Sequence, residues 1–173
     1  MLTQKQHPIL FNLQPKIMNQ EKIKFIQQQF ILLVQTLSIN TKPKWGLMNA
    51  QQMVEHVTAF FNISTEKIKF PLVTPEEHLP KLKAFLHSDK PFQENTKAPE
   101  SVIPATPLPL QYADMPTAIN KLQQAIDDFF IFFKDDKSKA TLQPVFGYLN
   151  FEDWILLHYK HCMHHARQFN LID

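Results

Sequence analysis

The chain has 173 residues, 44% hydrophobic and 20% charged, which excludes a wholly disordered polypeptide and is long enough for one domain, 1–173, with a proper core. A formal net charge of +2 gives no argument for a nucleic-acid or membrane partner, and the densest apolar run, Phe129 to Phe133, is far too short to cross a bilayer. The single cysteine, Cys162, excludes an intramolecular disulfide and fits a reducing compartment. The first residues lack the basic start and apolar core of a signal peptide, so the expected location is the cytoplasm.

Residues 1–18 show no period and contain Pro8 and Pro15, so they read as an N-terminal arm. Ile23, Ile26, Phe30, Leu33, Val34 and Leu37 follow helical spacing, which predicts a first helix over about 20–38. Asn49, with Gln52 three residues on, has the form of a capping box for a second helix over about 50–63. Ala50, Met53, Val54, Val57 and Phe61 make its apolar face, and His56 lies at the border of that face. Thr74 and Pro75 read as cap and first residue of a short helix reaching about 87.

From Ser88 the chain turns proline-rich, with Pro91, Pro99, Pro104, Pro107 and Pro109. A connection of this length, 88–114, fits a crossover along a bundle or a lid over a site. Asp114 is placed to cap a long helix over about 115–134, with Pro116 in its first turn and a stripe from Ala118 to Phe133. A charged turn follows at residues 134–139, and Asn150, with Asp153 at the third helical position, caps a last helix ending near Asn170. No strand stands out. The elements predict an all-α fold, a four-helix bundle with one extra short helix, and bundles often build metal sites from facing helices.

The last helix carries four of the eight histidines. At roughly 100° per residue, Trp154, Leu157, His158, His161, His165 and Gln168 share one face, and Asp153, Lys160 and Arg167 lie on the other. Imidazoles on an apolar face must be hydrogen-bonded or metal-bound, because an unpaired buried polar group costs about 1–3 kcal/mol. His161 and His165, four apart, place their Cβ atoms roughly 5–6 Å apart, which suits two ligands to one ion. His56 is the natural third ligand. Three nitrogens leave room for water or substrate, and zinc, nickel and iron all accept imidazole. The pairs His158–His161 and His161–His164 also share a face. Taken singly, His158 and His164 read better as core histidines bonded to nearby groups. Trp45 and Trp154 are pocket candidates whose plainer reading is core. Glu55 points about 100° away from His56 on its helix, a poor position for a base.

Three segments carry a resemblance: P-K-W-G-L-M-N-A-Q-Q-M-V-E-H (43–56), Q-P-V-F-G-Y-L-N-F-E-D-W (143–154) and K-H-C-M-H-H-A-R-Q-F (160–169). In order and type they resemble a branch of the DinB-like superfamily with the motifs W-G-x-M-x-x-x-Q-M-x-x-H, H-P-x-F-G-x-L-x-x-x-x-W and K-H-x-x-H-H-x-x-Q-F. The resemblance implies a four-helix bundle, a divalent metal held by His56, His161 and His165, and Gln168 supporting the ligands. It also implies hydrolysis, or transfer acting with a small thiol such as bacillithiol or mycothiol, on a small-molecule substrate, and a homodimer. Gln143 departs from the motif's histidine; if that histidine relays a proton, this chain lacks the relay. A second class of function is a metal-stabilised module that binds a ligand or partner without catalysis.

Overall fold

Asn49 and Asn150 each open a long helix with reciprocal bonds. Asn49 Oδ1 accepts from the Gln52 amide at 2.8 Å, and Gln52 Oε1 accepts from the Asn49 amide at 2.9 Å. Asn150 and Asp153 repeat the pattern at 3.1 and 3.4 Å. Each box satisfies amides that the first turn would otherwise leave bare. A computed structural model of the chain describes residues 19–96, 99–102, 104 and 106–173. The expected arm, 1–18, lies outside the described residues.

The described chain is mostly helical. Helix α1 covers residues 19–34, α2 is Ala50–Ser64, α3 is Leu79–Leu86, α4 is Met115–Phe132 and α5 is Phe151–Gln168. In α1 the turn Phe25–Gln29 is a π-helix. It adds a residue to the turn, so the buried pair Phe25 and Ile26 recurs five residues later as Phe30 and Ile31. The stripe is therefore Phe25, Ile26, Phe30, Ile31 and Val34, with Ile23 and Leu33 only partly buried. α3 follows a short 3-10 turn, Glu76–His78, whose N-cap is Pro75 and makes no side-chain bond; Thr74 does not cap it. Asp114 Oδ1 caps α4 by accepting from the Thr117 amide at 2.8 Å.

The all-α expectation needs one correction. Thr141–Gln143 (β1) and Gly147–Leu149 (β2) pair antiparallel, with Gln143 opposite Gly147. Gln143 Oε1 holds the turn, accepting from the amides of Val145 and Phe146 at 2.6 and 2.7 Å. Gly147 adopts φ +78°, where a Cβ is disfavoured.

α2 packs most extensively on α4 and also meets α5, which touches α1 and α3. Trp154, Phe30, Phe61, Phe129, Phe133 and Phe169 are the largest fully buried side chains. Each such burial is worth about 1.5–3 kcal/mol. Two residues expected on a polar face of α5 are instead buried. Asp153 receives Lys83 Nζ at 2.5 Å and His87 Nε2 at 2.8 Å. Lys160 Nζ donates to the carbonyls of Ser88 and Lys90 at 2.6 and 2.7 Å. α3 and the segment after it therefore close over that face, which the helical wheel assigns to solvent.

Candidate metal centre

α2 and α5 meet so that His56 faces His161 and His165. His161 Nε2 lies 3.0 Å from His56 Nε2 and 3.0 Å from His165 Nε2. The three ring centroids form a near-equilateral triangle with sides of 4.9, 5.0 and 4.6 Å. The planes cross at 71°, 76° and 82°, a propeller of mutually steep rings. Among the described residues this is the group of histidine, cysteine and carboxylate side chains placed to share one ion.

The proton inventory tests that fit. Gln168 Nε2 donates to the Trp45 carbonyl at 2.9 Å, so its Oε1 is the atom facing His165 Nδ1, at 2.8 Å. His165 therefore carries its proton on Nδ1 and presents a lone pair at Nε2. A neutral imidazole has one N–H, so His161 Nε2 cannot complete a separate hydrogen bond with each neighbour. Whichever tautomer His161 takes, at least one of the two 3.0 Å contacts is left without a proper hydrogen bond. His161 Nδ1 has no hydrogen-bond partner among the described residues. A divalent cation accepts all three lone pairs at once. Two nitrogens each about 2.0–2.1 Å from one ion sit roughly 2.9–3.4 Å apart for bond angles between 90° and 109°. Both spacings from His161 lie in that range, and the three ligand atoms all lie within 4.8 Å of one another.

Electrostatics point the same way. Burial lowers the basicity of all three rings, before any effect of neighbouring imidazoles. His56 is brought down to about 4 by burial and then by His164. His161 is held well below the usual histidine range by burial, then by His165 and His56. His165 is lowered likewise by burial and His56, with Gln168 opposing. All three are neutral at pH 7, the form that binds a metal. His161 and His165 are buried and His56 is half-buried.

The remaining sequence candidates are distributed around this point. Gln168 joins the loop before α2 to the ligands, and its own carbonyl accepts from the Lys44 amide at 2.7 Å. Gly46 makes that approach feasible: it has φ +81°, and a Cβ there would stand 2.8 Å from Gln168 Nε2. Trp45 is half-buried and edge-on to His164 at 5.7 Å, with Phe92 beyond His164 at 6.2 Å. Phe60 lies against His161 at 4.1 Å. Phe60 and His164, whose ring lies 5.1 Å from that of His165, thus form the aromatic surround of the centre, with Trp45 and Phe92 packed on His164.

Trp154 is not part of that surround. It is fully buried, and its Nε1 donates to Thr141 Oγ1 at 2.8 Å. His158 lies beneath it, stacked on Phe61 at 3.8 Å. Ser64 Oγ donates to the Phe61 carbonyl at 2.7 Å and so accepts from His158 Nε2 at 3.1 Å. His158 is a neutral core histidine, its basicity lowered by burial. Cys162 is buried, burial pushes its thiol above the usual range, and it is not in the group placed to share the ion. Glu55, next to His56 in sequence, turns to the proline-rich connection. Its carboxylate accepts from the amides of Gln111 and Tyr112 at 2.8 and 3.2 Å and from Gln51 Nε2 at 3.0 Å.

Sequence reasoning missed the roles of Trp45, whose carbonyl orients Gln168, and of Gln143. No protein-family model, curated protein or solved structure matches this chain. Among the described residues, no helix is long and apolar enough to cross a membrane.

Proposed function

We propose that this chain is a metal-dependent enzyme of the DinB-like type: a four-helix bundle holding a divalent ion on His56, His161 and His165. One observation carries the reading: the convergence of three neutral imidazole nitrogens whose own protons cannot satisfy them. When bound, such an ion lowers the pKa of a water ligand toward 7 or activates a thiolate. The chain's own part is to fix the donors. Gln168 holds the His165 proton on Nδ1, Phe60 packs against the His161 ring, and Trp45 and Phe92 pack on His164 beside the ligands.

The choice between enzyme and structural module rests on His158. It is the ring best placed in sequence to close the shell as a fourth ligand, yet it is committed to Ser64 and to its stack with Phe61. Three protein ligands, with no fourth closing the shell among the described residues, favour reactive over purely structural metal. The reaction we propose is hydrolysis, or transfer acting with a small thiol, in the cytoplasm. Gln143 stays with the hairpin turn and supplies no proton relay. The test is a screen of the metal-loaded protein against thiol conjugates, esters and amides, with His161→Ala as control. Turnover absent from the variant supports the reading. No turnover across all three classes, with metal bound, returns the protein to the module class.

A further inference from the structure

The opposite face of α5 borders a cavity of about 490 Å³, with α1, Ser88, Asp89 and Pro91 on its other sides. Its volume falls within the range of small-molecule pockets. Leu156, Tyr159 and Met163 supply apolar wall, and Lys22, Lys160 and Arg167 supply positive charge. Positions 156, 159, 160, 163 and 167 follow helical spacing on the face turned away from His161 and His165, so this is a different place from the metal centre.

The two lysines are not ion-paired. Among the described residues, neither Lys22 nor Lys160 has a carboxylate within 4.0 Å. Residues 1–18, 97, 98, 103 and 105 contain no Asp or Glu, so none of their side chains can supply one. Lys160 is buried, and its ammonium rests on the carbonyls of Ser88 and Lys90 and over the Phe85 ring at 5.0 Å. These contacts use two of its three N–H groups. Burial weakens its basicity first, Asp89 opposes this, and Lys22 adds to it as a like charge across the cavity. Arg167 Nε reaches the Asp173 backbone oxygen at 3.2 Å, and Lys22 Nζ sits 5.5 Å from the Tyr159 ring. The carboxylates in the lining, Asp89 and Glu152, belong to exposed residues, whereas Lys160 is buried and Lys22 and Arg167 are half-buried. The floor is cationic and the rim acidic. His87 also borders the cavity but is bonded to Asp153.

We infer that this cavity binds a small organic anion, with a carboxylate or phosphate head on the ammonium groups of Lys22 and Lys160 and an apolar body against Leu156, Tyr159 and Met163. A buried ammonium with a free N–H and an unpaired lysine facing it is a site completed by an anionic acceptor. The acidic rim disfavours polyanions, so the head is a single carboxylate or phosphate monoester.

The experiment is a heteronuclear NMR titration of the full-length, metal-loaded protein with 3-phenylpropionate, phenyl phosphate and the uncharged 3-phenylpropanol. Saturable shifts of the Tyr159, Lys160 and Met163 amides with either anion, and none with the alcohol, support the site; the anion that binds names the head group. Lys22→Glu then weakens binding about tenfold or more, the worth of one charge-assisted hydrogen bond. His161→Ala leaves binding unchanged, and chelated wild-type protein serves if that variant does not fold. Absent shifts, equal shifts with the alcohol, or shifts centred on residues 56, 161 and 165 that vanish with the metal would overturn it. The site stands or falls separately from the metal centre.

Discussion

His56 Nε2 and His161 Nε2 lie 3.0 Å apart although 105 positions separate them in sequence. They come from different helices, each opened by an asparagine capping box. The caps fix where each helix starts, and hence which residue faces its partner.

Gln168 ties this pair's neighbour, His165, to the loop before α2. Gln168→Leu removes the acceptor on His165 Nδ1 and frees the Trp45 carbonyl. Loss of such a partner behind a ligand typically weakens metal binding about 10–100-fold. Chelator-competition titration reads this directly. Affinity equal to wild type would show that Gln168 does not orient the ligand.

Gly46→Ala tests the same link from the other side. An alanine Cβ would strain the +81° backbone, at about 1–2 kcal/mol, and press on Gln168 Nε2 at 2.8 Å. Both thermal stability and metal affinity fall. If stability falls and affinity does not, the loop and the ligands are uncoupled.

The metal-free protein loses stability as pH falls. In the unfolded chain histidines protonate near pH 6.5, whereas in the folded chain His56 titrates at about 4 and His158 well below 6.5. Above 6.5 both states are neutral and nothing is lost. Below it the unfolded state binds the proton first, at up to about 1.4 kcal/mol per pH unit for each histidine. His158→Phe removes one such proton, and the ring still packs between Phe61 and Trp154. Urea unfolding in chelator at pH 7.5, 6 and 5 should show a shallower decline for the variant. An unchanged slope would mean that His158 is not neutral in the core.

Glu55→Ala leaves the Gln111 and Tyr112 amides without their acceptor and leaves Gln51 Nε2 only the Tyr112 carbonyl, at 2.8 Å. The expected cost is about 1–3 kcal/mol by urea unfolding. Cleavage near residues 106–112 in limited proteolysis should speed up, since the connection loses two of its bonds to α2. Wild-type proteolysis would show that Gln51 and Gln52, which donate to the Tyr112 and Leu108 carbonyls at 2.8 and 2.9 Å, hold the segment without Glu55.

What could be read in sequence was local. The boxes at Asn49 and Asn150 and the cap at Asp114 act within three residues, and the spacing of His161 and His165 is fixed by the helix itself. The rest depended on distant partners. Lys160 and Asp153 look solvated on a helical wheel, but the groups that bury them are 66 to 72 positions away. The Gln168–Trp45 bond spans 123 positions. The hairpin escaped notice because three-residue strands show no period, and because Gln143 acts through its side chain on the turn rather than through burial pattern. Glu55 was legible only as pointing away from His56; its hold on Gln111 and Tyr112 was not.

The most direct measurement is metal content by mass spectrometry on purified wild-type protein and on His56→Ala, His161→Ala and His165→Ala, with circular dichroism on the same samples. The account predicts a stoichiometric divalent ion in wild type and almost none in each variant. Helical content should be retained and the melting temperature only moderately lowered, because Phe30, Phe61, Phe129 and Trp154 hold the core. Equal metal in wild type and His161→Ala, or a chain that unfolds when its metal is removed, would contradict it.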